Sequence, residues 1–339
     1  MNSRAVMLIG NFLAEHKATI GISQKLIIKY KNDYGISIAH ASNKKNKLAR
    51  AFDIIFQLIK NRPSKVIVDT YSNVAFYIAV ITTMVSFLLH FKIVLVVRGG
   101  KFPDFYSKNK RFVRFILNQA VEIRTPSLFV KQFLEKESYN VVYSPNPLFL
   151  DNFQYTAKLP QHNAILWIRC FNSIYNPKVA VDILKIVKKT IPNAYLTMIG
   201  PDGGELNNTL NYIKELGLAK DIHVLGPIPN NDLYQHMHTH DVFINTTMYE
   251  SFGMAVVEAA SAGIPVVSTS VGELPFIWKN GEDMFLSSQI DAEEMAIYVV
   301  QLLQNSSLAD SMRLMAHKKA EGFSWNYVQK DWEQLLELN

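Results

Sequence analysis

Two carboxylates, Glu250 and Glu258, are separated by seven residues in the stretch FINTTMYESFGMAVVEAASAGIPVVST, residues 243–269. The short apolar runs Phe243-Ile244 and Val266-Val267 have the character of buried parallel strands. Between them, residues 252–262 are helix-length, rich in Ala, Val and Met, and closed by Gly263 and Pro265. Glu250 stands just before that helix and Glu258 inside it. An ionised group in an oily helix costs several kcal/mol unless it is paired or hydrogen-bonded. Glu258 therefore needs partners. The hydroxyls of a ligand are one candidate set; an Arg from another layer, or snorkelling to water, is the other. The helix opens at the C-terminal end of a strand, where open α/β sheets bind ligands. Its N–H groups near Ser251, Phe252 and Gly253 favour an anion such as a phosphate.

Further basic and glycine residues fall at strand ends. Arg169 closes the apolar run ILWI and Lys178 starts the next helix. Each could add a charge-assisted hydrogen bond to a diphosphate; a pair of solvated basic residues is the competing reading. Gly200 opens the turn GPDGG, and Gly226 opens a similar Gly-Pro turn. Such glycines allow positive φ and a close approach of backbone to ligand, or serve an ordinary strand–helix turn. Arg98-Gly99-Gly100 closes a strand in the first half, and Gly10 and Gly21 flank a loop holding His16 and Lys17. His236 and His240 share a helical face that His238 does not, and no Cys or fourth ligand is near, so they read as a solvated helix end rather than a metal site. The chain contains no Asp-x-Asp. With no such hard oxygen ligands to hold a divalent cation at a diphosphate, the fixed cations must neutralise it.

These residues need a scaffold, and the periodicity supplies one. Strands are predicted at 5–9, 36–39, 66–69, 93–97, 121–124 and 141–143, with helices at 22–30, 48–60, 74–89, 109–118 and 127–136. Residues 74–97 are strongly apolar, but His90 and Lys92 interrupt them, and the clean part, 74–89, falls short of the ~20 residues of a membrane span. It reads as a buried helix feeding the strand at 93–97. Pro145-Asn146-Pro147 breaks the pattern. The alternation then restarts, with strands at 164–168, 194–199 and 222–225 and helices at 178–190, 206–216 and 231–238. Beyond the 243–269 stretch, 272–279, 292–304 and the tail 323–338 look helical. Strand–helix alternation of this kind predicts doubly wound parallel sheets.

The 339 residues are enough for two domains, and 49% hydrophobic with 19% charged residues excludes disorder. The single cysteine, Cys170, permits no disulfide framework and suits a reducing compartment. The start, MNSRAVMLIGNF, reads as a first strand rather than a signal peptide. The net charge of +6 hides an asymmetry: residues 1–150 hold 22 Lys and Arg against 8 Asp and Glu, a net of +14, and the remainder nets −8. A basic half favours an anionic partner. Residues 101–115, KFPDFYSKNKRFVRF, interleave basic and aromatic side chains, and 44–50 cluster charge. Such stretches suit a membrane surface or nucleic acid, or are simply exposed loop and helix.

The 243–269 string resembles the Glu-x7-Glu signature of retaining glycosyltransferases of the GT-B fold, family 4 (glycosyl transferases group 1). The likeness lies in Asn245-Thr246-Thr247 before the first Glu, Phe252-Gly253 after it, an Ala following Glu258, and the ending Gly-x-Pro-Val-Val-Ser-Thr. It covers most of the chain, strongest over 164–286 and recurring at Phe323-Ser324-Trp325. It implies two Rossmann-like doubly wound parallel-sheet domains facing across a cleft: an acceptor domain at 1–148, a nucleotide-sugar donor domain at 149–322, and a C-terminal helix at 323–339 crossing back to the first.

The implied activity is retaining, metal-independent transfer of a sugar from a nucleotide-diphosphate sugar to a saccharide or lipid-linked saccharide, in the synthesis of cell-surface polysaccharide (capsule, O-antigen or exopolysaccharide). No cofactor beyond the donor substrate is implied. By the resemblance, Arg169 and the helix start at Ser251, Phe252 and Gly253 would stabilise the leaving diphosphate. Glu258 would hold the ribose hydroxyls. Glu250 would orient the transferred sugar without acting as a covalent nucleophile. Lys178 would share the phosphate work, but the family's common form has its Lys nearer, in a Lys-Gly pair where this chain has Ile174; Tyr175 would then take part. The loops at Gly200 and Gly226 would border the donor, and Gly10, Gly21, Arg98, Gly99 and Gly100 would reach its phosphates and the acceptor. The basic half would sit on an anionic membrane at the cytoplasmic, inner face of the cell membrane, with no nucleic-acid partner. A non-catalytic two-domain sugar or nucleotide binder is the alternative. A nicotinamide oxidoreductase is poorly supported: no Gly-x-Gly-x-x-Gly follows the first strand and no acidic residue ends the second.

Overall fold

The run KIVLVV pairs in parallel with KVIVDT, and both are apolar nearly throughout because helices cover the sheet on each face. In the computed structural model, residues 6–13, 21–149, 155 and 161–338 are described. The first sheet and its helices run β1 (Val6–Ile9), α1 (Ile22–Tyr34), β2 (Ala39–Ala41), α2 (Lys47–Asn61), β3 (Lys65–Thr70), α3 (Tyr77–Leu88), β4 (Lys92–Val97), α4 (Phe102–Lys108), α5 (Lys110–Leu117), β5 (Glu122–Thr125), α6 (Leu128–Lys136) and β6 (Val141–Tyr143). All neighbours pair in parallel, in the order β2-β1-β3-β4-β5-β6.

The second set runs β7 (Ala164–Ile168), α7 (Pro177–Val187), β8 (Tyr195–Ile199), α8 (Leu206–Glu215), β9 (Ile222–Leu225), α9 (Asn230–Thr239), β10 (Val242–Asn245), α10 (Met254–Ala262), β11 (Val266–Thr269), α11 (Leu274–Ile277), β12 (Phe285–Ser287), α12 (Ala292–Gln304) and α13 (Ser306–Glu321). Its parallel order is β12-β11-β10-β7-β8-β9. The last helix is α14 (Trp325–Leu336). The chain divides into two compact units, Met1–Asn146 with Gln329–Asn339, and Pro147–Val328. The second half of α14 is fastened to the first unit, where Lys65 Nζ donates to the Leu335 carbonyl at 3.0 Å and Arg124 Nη1 to Asp331 Oδ1 at 2.8 Å.

Both strand orders reverse once. In the first unit the reversal lies between β1 and β3, and in the second between β7 and β10. At such a point the two flanking connections leave in opposite directions and open a crevice at the strands' carboxyl ends.

Several elements depart from expectation for local reasons. Helix α1 continues to Tyr34, because its stop is Gly35 in the left-handed conformation, φ 67°. The second strand then pairs through Ala39–Ala41 rather than 36–39. Helix α13 and strand β12 escape the sequence reading. The inner face of α13 is largely small, Ala309, Ala316 and Ala320, so its apolar period is faint. The 74–89 segment begins as a 3-10 turn, Asn73–Phe76, and its helix is buried on one face only. That face holds Ile78, Ala79, Thr82, Thr83 and Ser86, while Met84, Phe87 and Leu88 are exposed. Helix α10 begins at Met254, not 252, because Gly253 takes φ 86°, a left-handed conformation that a helical turn cannot contain.

Candidate functional site

Arg169 follows the last residue of β7, and Asn245 is the last residue of β10, so the two face each other at the second unit's reversal point. Arg169 Nε donates to Asn245 Oδ1 at 3.0 Å, and Nη2 donates to Glu250 Oε2 at 2.7 Å. The Arg169 and Glu250 side chains are about nine-tenths buried, at 12% and 11% exposure. Asn245 in turn donates to Ser268 Oγ at 2.8 Å, which fixes its amide orientation from β11. Tyr175 lays its ring 5.2 Å from the Arg169 guanidinium. Burial pushes the Tyr175 phenol up, against the pull of Arg169, and Glu250 adds to the rise. It is a neutral hydroxyl at ordinary pH. The result is a cation held on three sides by protein, at the edge where the sheet opens.

The loops that carry these groups are tied to one another. Thr246 Oγ1 accepts from Trp167 Nε1 at 3.0 Å and donates to the Tyr175 carbonyl at 2.6 Å. Asn176 Nδ2 donates to the Thr246 carbonyl at 3.0 Å, and the Met248 N–H to the Ile174 carbonyl at 2.8 Å. The Asn-Thr-Thr run is thus a clamp between the loop after β7 and the loop after β10. Glu250 is buttressed from below. A Cβ on Gly272 would stand 1.9 Å from the Glu250 carbonyl oxygen, and Glu273 donates its N–H to that carbonyl at 3.3 Å.

The sequence-predicted donor residues divide. Arg169, Glu250 and Tyr175 are brought together. Lys178 is not: it is exposed on α7, with Nζ 5.4 Å from the Tyr212 ring centre. Glu258 lies half-buried on α10 between buried Val257 and Ala259. The Ser251 N–H is spent on Glu250 Oε1 at 3.0 Å, and the Phe252 side chain is core, edge-on to Phe323 at 5.2 Å. The N–H groups that α10 leaves uncapped by any side chain are therefore those of its true first turn, from Met254 onward. Gly200 meets protein backbone at its Cβ position. Its φ is +153°, and a Cβ there would stand 1.9 Å from the Arg169 carbonyl oxygen, so the glycine lets the GPDGG turn dock on the Arg169 backbone. Gly226 follows the edge strand β9 with open space around it. His240 is buried and satisfied by Thr197 Oγ1 at 2.8 Å and the His236 carbonyl at 2.7 Å, which makes it a core histidine rather than part of a solvated helix end.

The first unit has a polar cluster of its own at its reversal point. Arg98, just past β4, donates Nε to Asp69 Oδ1 and Nη1 to Asn146 Oδ1, both at 2.6 Å. Burial pulls the Arg98 pKa down, but Asp69 and the Tyr71 phenol more than offset it, and it stands raised. Its Nη2 has no acceptor among the described residues. Gly10 sits against Asp69, with its Cβ position 3.0 Å from Oδ2, and Gly99 takes φ +108° beside Gly100. Gly21 is the N-cap of α1, and the loop it flanks, 14–20 with His16 and Lys17, lies outside the described residues. Asp69, Asn146, Asn245 and Gly272 carry site contacts that the sequence did not assign to them. The signal for Asp69 was available: a carboxylate at the end of an apolar strand.

Comparison with known proteins gives this geometry a family. Residues 151–319 match glycosyl transferases group 1. The D-inositol 3-phosphate glycosyltransferase of Mycobacterium marinum is 28% identical over 171 residues, 49% of this chain and 36% of that protein. The 2-deoxystreptamine N-acetyl-D-glucosaminyltransferase of Niallia circulans is 30% identical over 120 residues, 35% and 30% of the two chains. The aligned stretches thus span about a third of these relatives' length. Among solved structures, Anabaena HepE in complex with UDP and glucose superposes with a TM-score of 0.78 at 14% identity, over 98% of this chain and 99% of that one. Sucrose-phosphate synthase from Thermosynechococcus elongatus gives 0.78 at 16%, over 98% of each. Through residues 151–319 the chain belongs to the glycosyl transferases group 1 family, and its two parallel six-stranded sheets with flanking helices are those of the GT-B fold.

Proposed function

We propose that this protein is a retaining glycosyltransferase that moves a sugar from a nucleotide-diphosphate sugar to a saccharide or lipid-linked saccharide, in the assembly of cell-surface polysaccharide. The observation that carries the reading is the Arg169–Glu250 pair at the second unit's reversal point, 2.7 Å apart and fixed by Asn245. Two guanidinium nitrogens are committed to protein, which aims the rest of the fork. A diphosphate leaving group gathers negative charge as the glycosidic bond breaks, and a pre-oriented cation beside an open helix N-terminus stabilises that charge without reorganising. Arg169 and the first turn of α10 take this role, so the reaction needs no divalent cation. Glu258 accepts from the ribose hydroxyls, and Glu250 orients the sugar. The departing phosphate, on the same face as the incoming hydroxyl, takes its proton, which leaves the anomeric configuration unchanged.

The first unit, with Arg98 and Asp69 at its own reversal point, holds the acceptor. Its basic half works at the cytoplasmic, inner face of an anionic membrane. A neighbour crystallised with UDP and glucose makes UDP-sugars the first donors to test. The test is a panel of nucleotide sugars screened for a raised melting point, since a ligand that binds only the folded state stabilises it. Transfer and product anomeric configuration are then read by NMR. A donor that stabilises the protein but is never transferred, whatever the acceptor, turns the reading toward a binding protein. Inversion at the anomeric carbon ends the proposed mechanism. Activity lost to EDTA and restored by magnesium ends the metal-independent part. Glu258→Ala should weaken donor binding by about 1–3 kcal/mol by calorimetry, the loss of one hydrogen-bonding group to the ligand.

A further inference from the structure

The first unit carries an apolar surface that its own fold does not need. Connections from β2 to β3, β3 to β4 and β4 to β5 all step the same way across the sheet, so right-handed crossovers place α2, α3 and α5 side by side on one face. Helix α3 packs against both neighbours. Each of the three also presents large apolar side chains outward. On α2 these are Phe52, Phe56 and Ile59, spaced to share one face, with Phe52 at 72% exposure. On α5 they are Phe112 and Phe115, both half exposed.

Helix α3 buries one face only, and that face is partly polar. It buries Ile78 and Ala79 there together with Thr82, Thr83 and Ser86, whose hydroxyls have no hydrogen-bond partner among the described residues, and turns Phe87 and Leu88 outward, the latter at 69% exposure. Isolated exposed apolar residues are ordinary, but a run of them across three adjacent helices marks an interaction surface. Among residues 44–121, ten Lys and Arg side chains are exposed and only one carboxylate, Asp104. A second copy of this chain would bring the same positive charge to such a contact. A surface that offers both oil and negative charge is the headgroup and upper acyl region of an anionic bilayer.

We propose that the outer face of α2, α3 and α5 inserts its aromatic and aliphatic side chains into an anionic membrane, with the surrounding Lys and Arg on the headgroups. This deepens the membrane contact of the proposed function and rests on it, because it states that the contact is made by insertion as well as by charge.

The test uses the full chain and vesicles of phosphatidylglycerol and phosphatidylcholine in equal parts. Binding is read by cosedimentation at low and high salt, and depth by quenching of Phe87→Trp fluorescence with brominated acyl chains. Insertion predicts binding that high salt weakens but does not abolish, and strong quenching at position 87. The double variant Phe87→Ser, Leu88→Ser should bind about tenfold or more weakly, from lost apolar burial. Because both positions are exposed, its melting point and its transfer to a soluble acceptor should be unchanged. Binding that salt abolishes, with no quenching, overturns insertion and leaves the charge-based contact standing. No binding at any salt overturns both, while glycosyl transfer remains a separate measurement. Self-association in ultracentrifugation that the double variant removes would overturn the proposal in favour of a second copy on this face.

Discussion

Glu250 and Arg169 are each other's principal partner, and that sets what a substitution there does. With Glu250 in place, Arg169 is shared between a carboxylate, an amide and whatever ligand arrives. Glu250→Gln keeps the size and keeps an oxygen for the Ser251 N–H, but removes one negative charge beside the diphosphate position. Nucleoside-diphosphate affinity should rise severalfold, because the arginine is less neutralised, while kcat falls about a hundredfold as the sugar loses its orienting group. Calorimetry and steady-state kinetics on one preparation check both signs. A Glu250 that only supported structure would lower affinity and melting point together. Arg169→Lys keeps the charge and loses the fork. A single ammonium cannot serve Asn245, Glu250 and a phosphate at fixed angles, so transfer should drop by a similar factor with the protein still folded.

At the scale of elements, the site depends on turns that approach one another's backbones more closely than a side chain permits. Gly272 lies under the Glu250 carbonyl with φ +56°. Gly272→Ala must displace that loop and adopt a left-handed conformation, and should cost about 2–4 kcal/mol in denaturant unfolding along with most of the activity. Gly226→Ala, in open space after an edge strand, should change stability by less than about 0.5 kcal/mol. The contrast shows what was legible in the sequence. Strand–helix alternation gave both sheets; Arg169 was marked by its place at a strand end and Glu250 by the string around it. Asn245 stood in that string and Gly272 just beyond it, but their roles depend on which strands lie next to each other in space. Gly200 was visible as a special glycine, and what its missing Cβ admits is the Arg169 backbone. The outward face of α3 was misread because an apolar run looks the same whether its oil turns inward or outward. Only its misplaced Thr and Ser residues hinted at the answer.

On the scale of the whole molecule, charge is divided between the two units: the +14 of residues 1–150 becomes +12 on the first, which takes in Lys330, Asp331, Glu333 and Glu337, and the second nets −6. An anionic donor approaching the second unit meets a net-negative body. Its capture must therefore come from local groups, Arg169 and the start of α10, rather than from long-range steering. The same unit carries a buried histidine whose protonation is linked to folding. His240 is 4% exposed, and its pKa is lowered to about 4. Burial is the main cause; the hydrogen bond to the His236 carbonyl and the Asp241 charge oppose it, and His236 and His223 add to the lowering. The unfolded chain binds this proton near the ordinary histidine value of about 6.5, and the native protein does not. The contribution to stability is therefore complete above that pH and is lost as pH falls toward 4, by about 1.4 kcal/mol for each unit in which only the unfolded chain is protonated. Calorimetric melting between pH 7.5 and pH 4.5 should show a falling midpoint, and His240→Gln, which keeps a polar group beside Thr197, should flatten the slope by one proton's worth. An unchanged slope in that variant would mean that the acid sensitivity comes from the carboxylates and that burial does not hold His240 neutral.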